Sequence, residues 1–210
     1  MTGQSRPRAR GGAALAFLVG LGGIVGASAM AAGPTRSAVG AEIPAVAPPA
    51  AAPGLPADGD LHPVTITVDQ VQFVPTPEQM ANARTIVDVG RNLGLPPRAW
   101  VIAIATALQE SSLHNLGYLG DRNDHDSLGL FQQRPSTGWG TPEQVTDPTY
   151  AATAFYSHLV RVSDWLTLPL TVAAQRVQIS AFPDRYARHE WQAGNIIRAL
   201  FGVGPYAGIN

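Results

Sequence analysis

Pro97-Arg98-Ala99-Trp100-Val101-Ile102-Ala103-Ile104-Ala105-Thr106-Ala107-Leu108-Gln109-Glu110-Ser111 is the stretch that decides the architecture of this chain. Between Arg98 and Glu110 it carries no charge, which predicts the central and most buried helix of a helical domain. The stretch closes on a carboxylate. A glutamate at the end of a buried helix is partly withdrawn from water, which disfavours its ionised form and moves its pKa toward the range where a general acid works. Taken alone, such a residue is more often an ordinary helix-end carboxylate on a solvated face.

Helical patterns flank this stretch on both sides. Thr76-Pro77-Glu78-Gln79 places a capping Thr, a proline at the first helical position and Gln at the third. A helix should run from there to about Asn92, with Met80, Ala83, Ile86, Val87 and Leu93 as its buried stripe and Gly94 marking its end. The same four letters recur at Thr141-Pro142-Glu143-Gln144 without any wider repeat. Asp147-Pro148 starts a further helix, with Ala151, Phe155 and Leu159 on one face. Two more helical stretches are expected near Thr171 to Ser180 and Asp184 to Leu200. The domain is therefore read as 76–210 and mainly α, with a little extended structure around Gly129 to Gln133.

The residues ahead of it divide into three. Arg6, Arg8 and Arg10 precede an uncharged, apolar stretch ending near Ala32, the layout of an export signal with Ala27-Ser28-Ala29 as small residues for cleavage. At ~1.5 Å per residue the same stretch also reaches across a ~30 Å hydrocarbon core, so segment 1–32 fits a cleaved signal or a membrane anchor. Segment 33–63, rich in Pro and Ala, cannot build a core and reads as a disordered linker with a reach on the order of 90 Å. In 64–75, Val64, Ile66 and Val68 alternate with Thr65, Thr67 and Asp69, a short strand at most. These segments place the domain outside the cytoplasm, secreted or held at the outer face of the membrane, with membrane contact confined to the N-terminal segment.

Composition excludes several classes of function. The 210 residues carry a net charge of −1 and no Lys, which argues against a basic field for nucleic acid. There is no Cys, so disulfides, thiolate nucleophiles and Cys-based zinc sites are ruled out together. Gly-x-Ser-x-Gly is absent and Ser-x-x-Lys is impossible without lysine. The histidines have no shared metal spacing, and no cofactor is implied. Asp121, Asp124 and Asp126 form an oxygen-rich loop that suits Ca²⁺ in chemistry, but Gly is missing at the sixth position and Gln132 stands at the twelfth. A polar surface loop is the better reading, with no metal site assigned.

A second motif, Asp126-Ser127-Leu128-Gly129-Leu130-Phe131-Gln132-Gln133-Arg134-Pro135, follows this loop. Together with Glu110-Ser111, Leu113 and Asn115, and with Asp147-Pro148-Thr149-Tyr150-Ala151-Ala152 and Phe155-Tyr156-Ser157-His158-Leu159, it resembles the soluble lytic transglycosylase family of the lysozyme-like superfamily, in its exported actinobacterial form. The resemblance covers about Thr76 to Glu190. It implies a lysozyme-like fold with a small extended or β segment at an active-site cleft, a monomer, and peptidoglycan glycan strands as partner. The implied reaction is cleavage of the β-1,4 bond between N-acetylmuramic acid and N-acetylglucosamine, as a lytic transglycosylase or a muramidase, with Glu110 as the single general acid and base. Ser111 would hydrogen-bond near Glu110, while Gln132 and the backbone of Gly129, Leu130 and Phe131 would line the sugar groove. Gln133 is a further candidate contact, and Phe131 would keep an apolar wall where the family has Met.

The resemblance is incomplete in two places. The loop between the motifs is longer than the common pattern, and the family's Ala-Ala-Tyr-Asn-Ala-Gly motif has Ala173-Ala174-Gln175-Arg176-Val177-Gln178 in its stead. Tyr186, Gln175 and Gln178 are the polar residues available for the missing contact, and the Tyr role is carried to none of them. Asp126 is the best-placed second carboxylate for positioning water in a hydrolase. Of the tryptophans, Trp139 is the one to test for sugar stacking. The alternative function is a non-catalytic wall-binding or assembly module on the same scaffold.

Overall fold

The computed structural model describes Gly54, residues 56–180 and residues 184–204, so the 1–32 reading and most of the 33–63 reading fall outside the described residues. The described chain is mainly helical: α1 (Asp58–Leu61), α2 (Pro77–Asn92), α3 (Pro97–Ser111), α4 (Pro142–Val145), α5 (Pro148–Leu159), α6 (Leu170–Gln178) and α7 (Glu190–Leu200). None of these helices is long and apolar enough to cross a membrane. The only β pairing among the described residues is one antiparallel bridge between Leu128 and Gln133.

α3 is the axis of the domain. Every residue from Arg98 to Leu108 is buried, and α1, α2, α5, α6, α7 and a 3-10 turn at Tyr186–His189 all pack against it. Its uninterrupted Ala, Val and Ile content is what permits contact on all sides, because no face has a charge to keep wet. α2 begins on the expected capping box: Thr76 Oγ1 accepts from the Gln79 amide at 3.2 Å while the Gln79 side chain accepts from the Thr76 amide at 2.8 Å. Its core face uses Ala83, Ile86 and Val87, whereas Leu93 lies past the helix end and is 36% exposed. Gly90 is required where α2 crosses α3, since a Cβ there would meet the Trp100 ring at 2.6 Å and the Tyr156 hydroxyl at 2.9 Å. The expected helix from Asp184 is in fact broken, a 3-10 turn at Tyr186–His189 running into α7.

The N-terminal boundary needs correction, because the folded unit starts well before Thr76. α1 buries Leu61 completely, and residues 64–75 form no strand. The alternation holds in burial only from Val64 to Thr67, since Val68 is exposed, and among the described residues no strand pairs with it. The backbone is instead tied to the α7 end of the domain. The Val71 amide donates to the Arg188 carbonyl at 2.8 Å, and the Gln192 side chain exchanges two hydrogen bonds with the backbone of Phe73. At the base of this strap Arg98 donates to the Leu61 carbonyl at 3.1 Å and to the Glu190 carboxylate, with His62 Nδ1 3.5 Å from the same oxygen.

Candidate active site

Glu110 sits in the last turn of α3, and the chain leaves that turn under strain. Ser112 and Leu113 both adopt left-handed backbone conformations, φ 54° and 60°, which cost L-residues on the order of 1–2 kcal/mol each. The turn is held by the Leu113 amide donating back to the Ala107 carbonyl at 3.1 Å, and by the complete burial of the Leu113 side chain. Two side chains of α2 take the exposed carbonyls: Gln79 Nε2 donates to Ser112 O and Asn82 Nδ2 to Leu113 O, both at 2.8 Å. Gln79 thus caps α2 and clamps the turn beneath the carboxylate at once.

The carboxylate is densely surrounded by protein while keeping some accessible surface. Desolvation pushes its pKa above the ordinary 4.5, against hydrogen bonds from Tyr186 and Gln178 that favour the charged form; the negative charge of Asp124 adds to the upward push. Tyr186 is fully enclosed and its hydroxyl donates to Glu110 Oε1 at 2.6 Å. Burial first, then the Glu110 charge, drives the Tyr186 pKa upward, so the phenol stays a donor. On the far side of the same 3-10 turn, His189 Nε2 lies 3.2 Å from Gln109 Oε1; burial, reinforced by Arg188, lowers the His189 pKa to about 4 and keeps the ring neutral.

The second motif forms a tight turn held on the end of α3. Gly129 has φ 74°, and a Cβ there would lie 2.0 Å from the Val145 carbonyl oxygen, so no other residue fits without moving the backbone. Three successive carbonyls of the turn are taken by side-chain donors. Gln132 Nε2 donates to Gly129 O at 3.1 Å, Ser111 Oγ to Leu130 O at 2.8 Å, and Gln178 Nε2 to Phe131 O at 2.8 Å. Gln178 therefore ties both the turn and Glu110 to the end of α6.

This geometry redistributes the roles expected of the motif. Ser111 is buried and serves the turn, not the carboxylate. Leu130 and Phe131 are wholly enclosed, and Phe131 stacks on Phe155 with ring centroids 4.7 Å apart, so Phe131 is core and cannot be a wall against a sugar. Gly129 is buried with its carbonyl engaged. Gln133 is 1% exposed, donates to Ala151 O at 3.1 Å and closes the bridge with Leu128, which removes it as a contact. Gln132 alone among these residues keeps accessible surface, with its backbone held at φ 48°.

Asp126 is tied to the turn after the motif. Desolvation is the largest single influence on its pKa and pushes it up, but hydrogen bonds from the Ser136 amide at 2.7 Å, Arg134 Nε at 3.1 Å and the Ser136 hydroxyl at 2.9 Å together outweigh it and hold the pKa below the usual range. Its oxygens are committed to bracing the turn after the motif. Among the described residues no group of three or more His, Asp or Glu side chains could hold a metal ion. Trp139 packs its ring on His158, centroids 4.4 Å apart, and is half-buried.

Tyr186 and Gln178, which no spacing rule singles out, are the partners that complete the Glu110 environment. No family profile matches the chain, and no curated protein matches it significantly.

Proposed function

We propose that this chain is an exported peptidoglycan-cleaving enzyme with a lysozyme-like fold. It acts on the β-1,4 bond between N-acetylmuramic acid and N-acetylglucosamine, with Glu110 as sole general acid and base. The observation that carries this reading is the opposition around Glu110. Burial favours the proton before transfer, and the Tyr186 hydroxyl and Gln178 amide receive the negative charge after it. A purely structural carboxylate needs no such balance, because either full solvation or a cation would satisfy it.

Asp126 is committed to Arg134 and Ser136, and Asp124 acts on Glu110 as a nearby negative charge, so we assign neither as nucleophile. The bond-breaking step then proceeds with the substrate's own N-acetyl group assisting at the anomeric carbon, as in substrate-assisted glycosidases. Glu110 protonates the leaving glycosidic oxygen. The resulting carboxylate next takes a proton from the second nucleophile, which is water in a muramidase and the sugar's 6-hydroxyl in a lytic transglycosylase. Gln132, partly exposed, is the amide we assign to hydroxyl and acetamido groups of the substrate, while Gln178 is held on Glu110 and the Phe131 carbonyl. The N-terminal segment 1–32 supplies export or anchorage, so the domain works as a monomer in the wall.

Incubation of the purified chain with clean sacculi, followed by mass spectrometry of the released fragments, tests the reading. New glycan ends are expected from the natural chain and none from Glu110→Gln. Release that survives Glu110→Gln in a folded protein overturns the role of Glu110, and no release from the natural chain favours the wall-binding module. An anhydro product is lighter than the hydrolysed one by one water, which assigns the nucleophile.

A further inference from the structure

The strap N-terminal to α2 is tied to the turn that carries Tyr186, with Gln70 as its side-chain link. Gln70 Nε2 donates to the Ala187 carbonyl at 2.9 Å and to Val68 O at 3.1 Å, and its Oε1 accepts from the Trp191 amide at 2.9 Å. Ala187 lies inside the 3-10 turn that carries Tyr186, and Trp191 lies in the first turn of α7. The amide of Gln70 therefore brackets the junction between these elements from both ends. The neighbouring Val71 amide on Arg188 O adds a third tie. A four-residue 3-10 turn has little hydrogen bonding of its own, so its position depends on such external contacts.

We propose that Gln70 is a positioning residue for the Glu110 site: by bracketing the Tyr186–His189 turn it holds the Tyr186 hydroxyl on the carboxylate, making the strap a working part of the site. The proposal rests on the reading of Glu110 as an acid and base, but its geometry is independent of which nucleophile follows. Gln70 hydrogen-bonds Ala187, Val68 and Trp191, and Tyr186 is the residue of the bracketed turn that is bonded to the carboxylate, so the effect is read through the Tyr186 hydroxyl.

A double-mutant cycle read on the proton affinity of Glu110 tests this. The Glu110 carboxyl carbon is titrated by NMR in the full-length chain labelled at glutamate. Tyr186→Phe removes a bond that favours the charged form, so the midpoint rises. Gln70→Ala is expected to raise the midpoint in the same direction by less, and to add nothing once Phe stands at 186. Gln70→Met keeps the unbranched stem and loses all three hydrogen bonds, and should behave as Gln70→Ala if the alanine variant folds poorly. An unchanged midpoint in a folded Gln70 variant overturns the proposal, as does an equal shift with and without the Tyr186 hydroxyl. Because the titration needs no turnover, failure of the glycan-cleavage reading leaves this outcome separately readable.

Discussion

Glu110 and Glu190 are both glutamates enclosed by the same domain, and what faces each differs in kind. Glu190 meets a buried guanidinium, Arg98, with His62 beside it, and the three side chains are almost wholly out of water. Glu110 meets a phenol and a carboxamide, both neutral, and a like charge from Asp124. A buried anion given a cation is a fixed structural element whose removal from either side leaves an uncompensated charge. A buried carboxylate given only neutral donors has no cation to hold it ionised, and burial raises its pKa. The contrast separates an acid fixed by an ion pair from one whose proton is favoured by burial, and it does so without reference to any motif.

The largest effect expected to separate the two is on glycan release. Glu110→Gln should lower it by roughly 10²–10⁴-fold, the usual worth of a positioned acid or base, while Glu190 should matter only through folding. Next comes stability. Arg98→Met leaves Glu190 buried without its guanidinium, with only His62 beside it, and should cost about 3–5 kcal/mol by urea unfolding, with the strap's α1 loosened alongside because Arg98 also holds the Leu61 carbonyl. A loss no larger than that of an exposed ion pair would break the comparison at its Glu190 end.

A smaller effect of opposite sign is expected at the other end. The folded pKa of Glu110 lies above its ordinary 4.5, so its contribution to stability is fully present below that value and is lost as pH rises through the folded pKa. Glu110→Gln has no proton to lose. Thermal melts should therefore show the variant as stable as the natural chain in acid and more stable than it near neutrality. Parity at neutral pH would mean that the carboxylate is better solvated than its surroundings imply. Smallest is the effect of Asp124→Asn, which removes a like charge. The alkaline limb of the activity profile should move to lower pH, because Glu110 then gives up its proton more readily.

Much of the helical framework is legible in the sequence because its causes are local. The charge-free run from Ala99 to Gln109 marks the central helix, Thr76 and Gln79 mark the start of α2, and Asp147-Pro148 marks α5. The strap misleads for a physical reason. A 2-residue alternation states which side chains face inward but not whether a strand is there to pair, and here the backbone hydrogen bonds go to a helix end. The second motif is read from sequence as a little extended structure lining a groove, and folds as a tight turn with one antiparallel bridge. Leu130, Phe131 and Gln133 recur with Gly129 in one short run, yet the bridge at Leu128 and Gln133 turns all three inward, leaving Gln132 outward.

Sequence by itself determined that a carboxylate would end the most buried helix and that no thiol or cysteine-bound metal could be involved. These are matters of residue chemistry and short-range pattern. Only the tertiary structure decided what the carboxylate meets. Tyr186 lies 76 residues from Glu110 in the chain and reaches it from a 3-10 turn with no motif of its own. That turn is in turn fixed by Gln70 from the opposite end of the domain, 117 residues from Ala187. The proton affinity of Glu110 is set by burial and by these distant donors, and both exist only once α3, α6 and the strap have closed around it.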